Sequence, residues 1–91
     1  MKNLSQFKQR LKVGTLLETT HARLGSFGIR PVSIVQTNSF ALATEKPEGI
    51  VNSWCEYPKA KDIEFPDENT VEVYWEMNGN REKVLTYSFV E

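Results

Sequence analysis

The side chains best suited to nucleophilic chemistry are His21 and Cys55, 34 positions apart, with Asp62 and Asp67 the only aspartates that could orient an imidazole. A nucleophile needs a base within hydrogen-bond reach and a third group to hold that base. His21 opens a glycine-containing segment, and Cys55 follows Trp54 in a run of strand character, where a small thiol commonly packs as a hydrophobe. Glu72 and Glu76 admit an acid/base pairing, but alternating acids on a strand opposite lysine and arginine read more simply as a solvated face. The chain has no phosphate-cradling glycine loop and no cluster with metal-ligand spacing, and its single cysteine excludes an internal disulfide and a multi-thiolate zinc site. The expectation is a non-enzymatic protein with no catalytic residue, no cofactor and no metal.

Binding chemistry is better represented. His21 to Arg30 contains Arg23, Arg30, Leu24, Phe27 and two glycines, and reads as a connection (residues 21–31) longer than an ordinary hairpin loop. Arginine beside an aromatic ring serves both at protein interface hot spots and in stacking on nucleic-acid bases. In the alternative reading, Leu24, Phe27 and Ile29 fold back onto the core and the arginines are solvated. Glu72, Tyr74 and Glu76 alternate outward on a later strand, where carboxylates two residues apart would lie about 6.8 Å apart, twice the rise per phosphate along one DNA strand. That row could imitate a phosphate backbone, but a net charge of −1 is low for a protein living by such mimicry. An aromatic, acidic face suits a protein partner better.

Charge is sorted along the chain. Residues 1–44 carry six bases against one acid, and residues 45–91 carry five bases against eleven acids. Lys8, Arg10 and Lys12, with Arg23, Phe27 and Arg30, give an alternative nucleic-acid-binding surface. The chain nevertheless has no RNP-type aromatic sequence, no GXXG loop and no helix-turn-helix pattern.

These residues need elements to position them. Leu4, Phe7 and Leu11 fall on one helical face, predicting a short amphipathic helix over about 3–12, capped by Asn3 or Ser5 and ended near Gly14. Strands are predicted at about 13–20, 30–37, 39–45, 50–57, 70–77 and 82–90. A turn at Thr37-Asn38 would set Val35 against Phe40, Ile34 against Ala41 and Val32 against Ala43. Pro58 to Asn69 reads as a turn, a short extended piece and another turn. In the last hairpin, the loop between 77 and 82 must be odd in length to pair Val73 with Leu85 and Val71 with Tyr87, so Asn78-Gly79-Asn80 is expected. Trp54 and Trp75 share parity with apolar neighbours and are expected in the core.

The sequence therefore predicts one domain, 1–91, of α+β (mainly β) class: a short N-terminal amphipathic helix followed by a five- to six-stranded antiparallel, strongly curled sheet or small open barrel. It is expected to be cytoplasmic, since no apolar run approaches bilayer length and the start lacks a signal-peptide pattern. The expected function is binding another protein, as a small inhibitor or accessory protein of the phage or mobile-element type occupying a surface on a larger, nucleic-acid-handling protein. Arg23, Leu24, Phe27, Arg30, Glu72, Tyr74 and Glu76 are the expected contacts, and the chain is expected as a monomer or as a homodimer paired through an exposed sixth strand.

Overall fold

The computed structural model describes residues 1–90; Glu91, the last residue of the expected domain, lies outside the described residues. One helix, α1 (Leu4–Arg10), precedes seven strands: β1 (Leu16–His21), β2 (Gly25–Val35), β3 (Ser39–Lys46), β4 (Gly49–Glu56), β5 (Ile63–Asp67), β6 (Thr70–Met77) and β7 (Asn80–Phe89). The fold is mainly β, and all its pairings are antiparallel. The sheet holds one strand more than expected, because the extended piece between Pro58 and Asn69 pairs with β6 as β5.

Strand order is β4-β3-β2-β1-β7-β6-β5, so two meanders, β1–β4 and β5–β7, meet through the β1–β7 ladder. The sheet stays open between β4 and β5. Those are its edges, which corrects the expectation of an exposed final strand: β7 lies between β1 and β6.

Helix α1 starts where the Asn3 side chain accepts a hydrogen bond from the Gln6 N–H at 2.9 Å, satisfying a donor the helix cannot. It ends at Arg10, earlier than the expected 12. Gly14, at φ 94°, serves the next turn instead, giving its N–H to the Val32 carbonyl at 2.8 Å. A seven-residue helix has little stability of its own, so packing must hold it. Phe7 supplies that packing: it is fully buried and meets the rings of Phe40, Tyr57, Tyr87 and Phe89 at 6.0–6.2 Å. Phe40 on β3 also meets Tyr87 on β7 at 5.7 Å. Three strand spacings separate β3 from β7, roughly 14 Å in a flat sheet, so contact between these rings requires strong curl. The concave side so formed holds the core, with Leu17, Val32, Leu42, Val71 and Val73 around Phe7.

Four local predictions are corrected. The expected 21–31 connection is mostly strand, since β2 begins at Gly25 and a three-residue turn, Ala22 to Leu24, joins it to β1. The glycines that read as loop flexibility provide turn geometry and a bulge instead: Gly25 and Gly28 have φ of 82° and 87°, and the ladder register shifts between Glu18 and Thr20. The β2–β3 hairpin has the expected Val35–Phe40 and Ile34–Ala41 pairs, but a bulge moves Val32 from Ala43 to Leu42. In the last hairpin Val73 pairs with Leu85 and Val71 with Tyr87, as the apolar pattern requires, yet the loop is the two-residue Asn78-Gly79, with Met77 opposite Asn80. The odd residue is Val84, bulged within β7 where the register shifts between Val73 and Tyr74. Finally, Trp54 and Trp75 are not core residues: they are 54% and 59% exposed.

Candidate docking site

The two open edges of the sheet differ in chemistry. β5 has five residues, includes Pro66, Glu64 and Asp67, and its pairing with β6 is interrupted by a register shift. Short length, proline, charge and irregularity are the devices that keep an edge from pairing with a further strand. β4 has none of these in its interior. Its eight residues pair with β3 without a break, and its only ionisable side chains are the thiol of Cys55 and the terminal carboxylate of Glu56.

The direction of its backbone groups follows from one bond. The Tyr57 N–H reaches the Asn38 carbonyl at 3.2 Å, so the odd-numbered residues of β4 bond toward β3. Ile50, Asn52, Trp54 and Glu56 therefore aim N–H and C=O away from the sheet. Their side chains are exposed, with Ile50 at 72%. β4 thus offers a regular row of unpaired donors and acceptors flanked by apolar side chains.

Beside this edge lies a cleft of about 290 Å³ between the end of β4 and the concave face of β6 and β7. Val73, Trp75, Leu85 and Tyr87 line it from β6 and β7, and Trp54, Cys55, Glu56, Tyr57 and Pro58 from β4 and the residues after it. Trp75 faces the same side as Val73 but lies beyond the reach of the helix. Trp54 lies on the side of β4 opposite Cys55, opposite Ala41 in the ladder. Burial raises the pKa of the Cys55 thiol, with the Tyr87 hydroxyl and Arg30 guanidinium partly offsetting it. Burial likewise raises the Tyr87 hydroxyl. Both stay neutral near pH 7, so the cleft is an apolar, aromatic surface that includes the carboxylate residue Glu56, with Lys8 over its Tyr57 ring and Arg30 close to Cys55 and Tyr87. No group of three or more metal-ligating side chains occurs among the described residues.

The residues expected to bind a partner are distributed differently. Arg23 and Leu24 are exposed on the β1–β2 turn, where His21 Nδ1 accepts from their N–H groups at 3.1 and 3.3 Å. That lone pair is therefore engaged in shaping a turn. Phe27 is 46% exposed between His21, 6.2 Å away ring to ring, and the Arg30 guanidinium at 5.9 Å. Arg30 turns inward, donating to Thr44 Oγ1 at 2.9 Å, and its buried Nε has no partner. The acidic face carries its own cations. Glu72 accepts from Lys83 at 3.1 Å and from the Tyr74 hydroxyl at 3.3 Å, and Arg81 covers the Tyr74 ring at 4.1 Å while pairing with Glu64. Glu76 is exposed opposite Arg81.

The alternative basic surface is similarly engaged. Lys8 Nζ lies 4.8 Å from the Tyr57 ring centre. Arg10 donates to the Glu68 carbonyl and to Asn69 Oδ1, and sits over Phe89 at 4.3 Å. Lys12 alone of that helical set is exposed beyond the helix end. The basic helix thus rests on the β5–β6 turn of the acidic half, and the sorting of charge along the sequence does not become two separate faces.

The sequence reading missed the Trp54–Trp75 cleft. Its available signal was the run Ile50 to Cys55, six residues without a formal charge at the end of the first meander. No protein-family profile, curated protein or solved structure matches the chain.

Proposed function

We propose that this is a non-enzymatic protein-binding protein that captures an extended segment of another protein along β4, with the adjoining cleft taking one of its side chains. Main-chain hydrogen bonds to an open edge give affinity in such strand addition, and neighbouring pockets give sequence preference. The observation that carries the reading is the contrast between the guarded edge of β5 and the unguarded edge of β4. A small cytoplasmic inhibitor or accessory protein occupying a surface on a larger protein is consistent with this mode of binding. Nucleic-acid binding is less well supported, because Arg10 and Arg30 each hydrogen-bond within the chain.

Asn52→Pro tests the reading, since it deletes an outward N–H and leaves the β3–β4 bonds intact; Ile50→Lys, an edge guard, is the second variant. A displayed random-peptide library selected on the wild-type protein should yield extended, alternating sequences whose binding falls at least tenfold in both variants. No enrichment, or peptides indifferent to both substitutions, overturns the proposal. Light scattering covers the remaining occupant: a dimer dispersed by both variants assigns the edge to a second copy.

A further inference from the structure

Arg30 stands on β2 across from Leu17, a core residue, so its side chain enters the concave side of the sheet. It is half-buried there, with the Thr44 hydroxyl at 2.9 Å and the Phe27 ring at 5.9 Å as neighbours. Its Nε is buried with no acceptor, and no carboxylate pairs with it among the described residues. A charge drawn out of water ordinarily acquires a counter-charge or a full set of hydrogen bonds. Arg30 has neither.

A donor relay leads from this cation to the open edge. A guanidinium only donates, so Thr44 Oγ1 on β3 accepts from Arg30. Thr44 Oγ1 also lies 3.1 Å from Ser53 Oγ on β4. With the Thr44 oxygen engaged by the guanidinium, the assignment that satisfies both hydroxyls has Thr44 donating to Ser53. The Ser53 proton is then left with no acceptor among the described residues. The chain of donors thus starts at a buried charge and ends in a free hydroxyl on the last strand before the edge.

We infer that the segment bound on β4 places a carboxylate, from aspartate or glutamate, opposite Ser53, where it accepts the Ser53 proton and supplies the missing counter-charge to Arg30. The inference rests on the strand-addition reading. Three features support it. First, Ser53 pairs with the core residue Leu42, so its side chain and that of a residue opposite it share the concave side. As an odd-numbered residue of β4 it bonds toward β3, so it meets an antiparallel added strand at a non-hydrogen-bonded position, where facing side chains are closest. Second, the charge on this side of β2, β3 and β4 has one sign. Alternation puts Lys46 with Thr44 and Arg30, whereas Glu45 and Glu56 fall on the opposite face. A lysine opposite Ser53 would meet two cations and a donor, so the position discriminates by sign. Third, the flanking positions differ from it. Residues two places to either side face Val51 and Cys55, the second beside the aromatic cleft, and both favour apolar side chains. The bound segment therefore reads apolar, any, acidic, any, apolar.

The test uses the displayed random-peptide library selected on the whole wild-type protein. Enriched peptides should carry an aspartate or glutamate with an apolar residue two places to each side. Replacing that acid by its amide should weaken binding about tenfold, measured by calorimetric titration, and raising the salt concentration should weaken the acidic peptide more than the amide. Ser53→Ala and Arg30→Gln should each remove most of the difference between acid and amide, with circular dichroism showing that the sheet is retained. Ser53 lies on the edge strand and its hydroxyl packs against no core residue, so Ser53→Ala carries the test where Arg30→Gln does not fold. Enriched peptides that depend on Asn52 but have no acid, or whose acid and amide forms bind alike, overturn the inference and leave strand addition standing. An acid preference that survives both Ser53→Ala and Arg30→Gln overturns it as well. Indifference to Asn52→Pro removes strand addition itself, and this inference with it.

Discussion

At the scale of single residues, Phe7 is where helix and sheet meet. Its ring touches residues from both meanders, so truncation leaves a hole that neither can fill alone. Phe7→Ala should cost about 3–5 kcal/mol, a large part of what a domain of this size holds, and Phe7→Leu much less; urea denaturation followed by circular dichroism measures both. Thr19 presents the opposite case. It is 4% exposed and its hydroxyl has no hydrogen-bond partner. Valine has the same shape without the unsatisfied group, so Thr19→Val should stabilise the fold by about 1 kcal/mol, seen as a higher urea midpoint at unchanged slope. The sequence showed Phe7 as a core residue because helical spacing exposes it. It could not show Thr19 as an unsatisfied one, since that depends on what a curled sheet closes around it.

At the scale of elements, the hairpins show what apolar alternation can and cannot reveal. Alternation correctly paired Val73 with Leu85, because one face must be buried and a slip of one residue reverses the faces. It could not locate the extra residue, which fits the pattern either in the loop or at Val84. The two-residue loop demands positive φ, 52° at Asn78 and 79° at Gly79. Gly79→Ala should therefore cost about 1 kcal/mol, read from thermal unfolding, although a Cβ there meets nothing within 4 Å. The same limit explains the tryptophans. Parity set Trp75 on the face of Val73, but whether that face is covered depends on how far a helix of seven residues extends. The open edge of β4 carries its own prediction at this scale. Ile50→Lys should lower self-association at high protein concentration, measured by light scattering, and leave the urea midpoint within about 0.5 kcal/mol of wild type.

At the scale of the whole molecule, stability responds to alkaline pH. Burial raises the pKa of Cys55, Tyr57 and Tyr87 above their unfolded values. Such groups bind protons more tightly when folded, so their contribution is complete below the unfolded pKa and declines as pH rises beyond it. The decline should begin near pH 8.5, where an unfolded thiol ionises, and steepen near pH 10 with the tyrosines. Cys55→Ala should delay the onset toward pH 10, checked by urea midpoints measured from pH 7 to 10.5. Charge at this scale also differs from its linear reading. The basic N-terminal half and the acidic C-terminal half touch, through Arg10 at the β5–β6 turn, so the large opposed charges of the sequence partly cancel in space.

The β1–β7 ladder has a further consequence. Among the described residues it is the only strand pairing between the two meanders, while the covalent link between them is the short passage from Tyr57 to Asp62. The bond between Lys59 and Ala60 is in that sense dispensable to the architecture. Residues 1–59 and 60–91, made as separate polypeptides, should recombine on mixing into one folded heterodimer, with the two indoles on different pieces and Phe7 inserted between them. The fold would then operate as a split reporter whose reassembly can be followed by light.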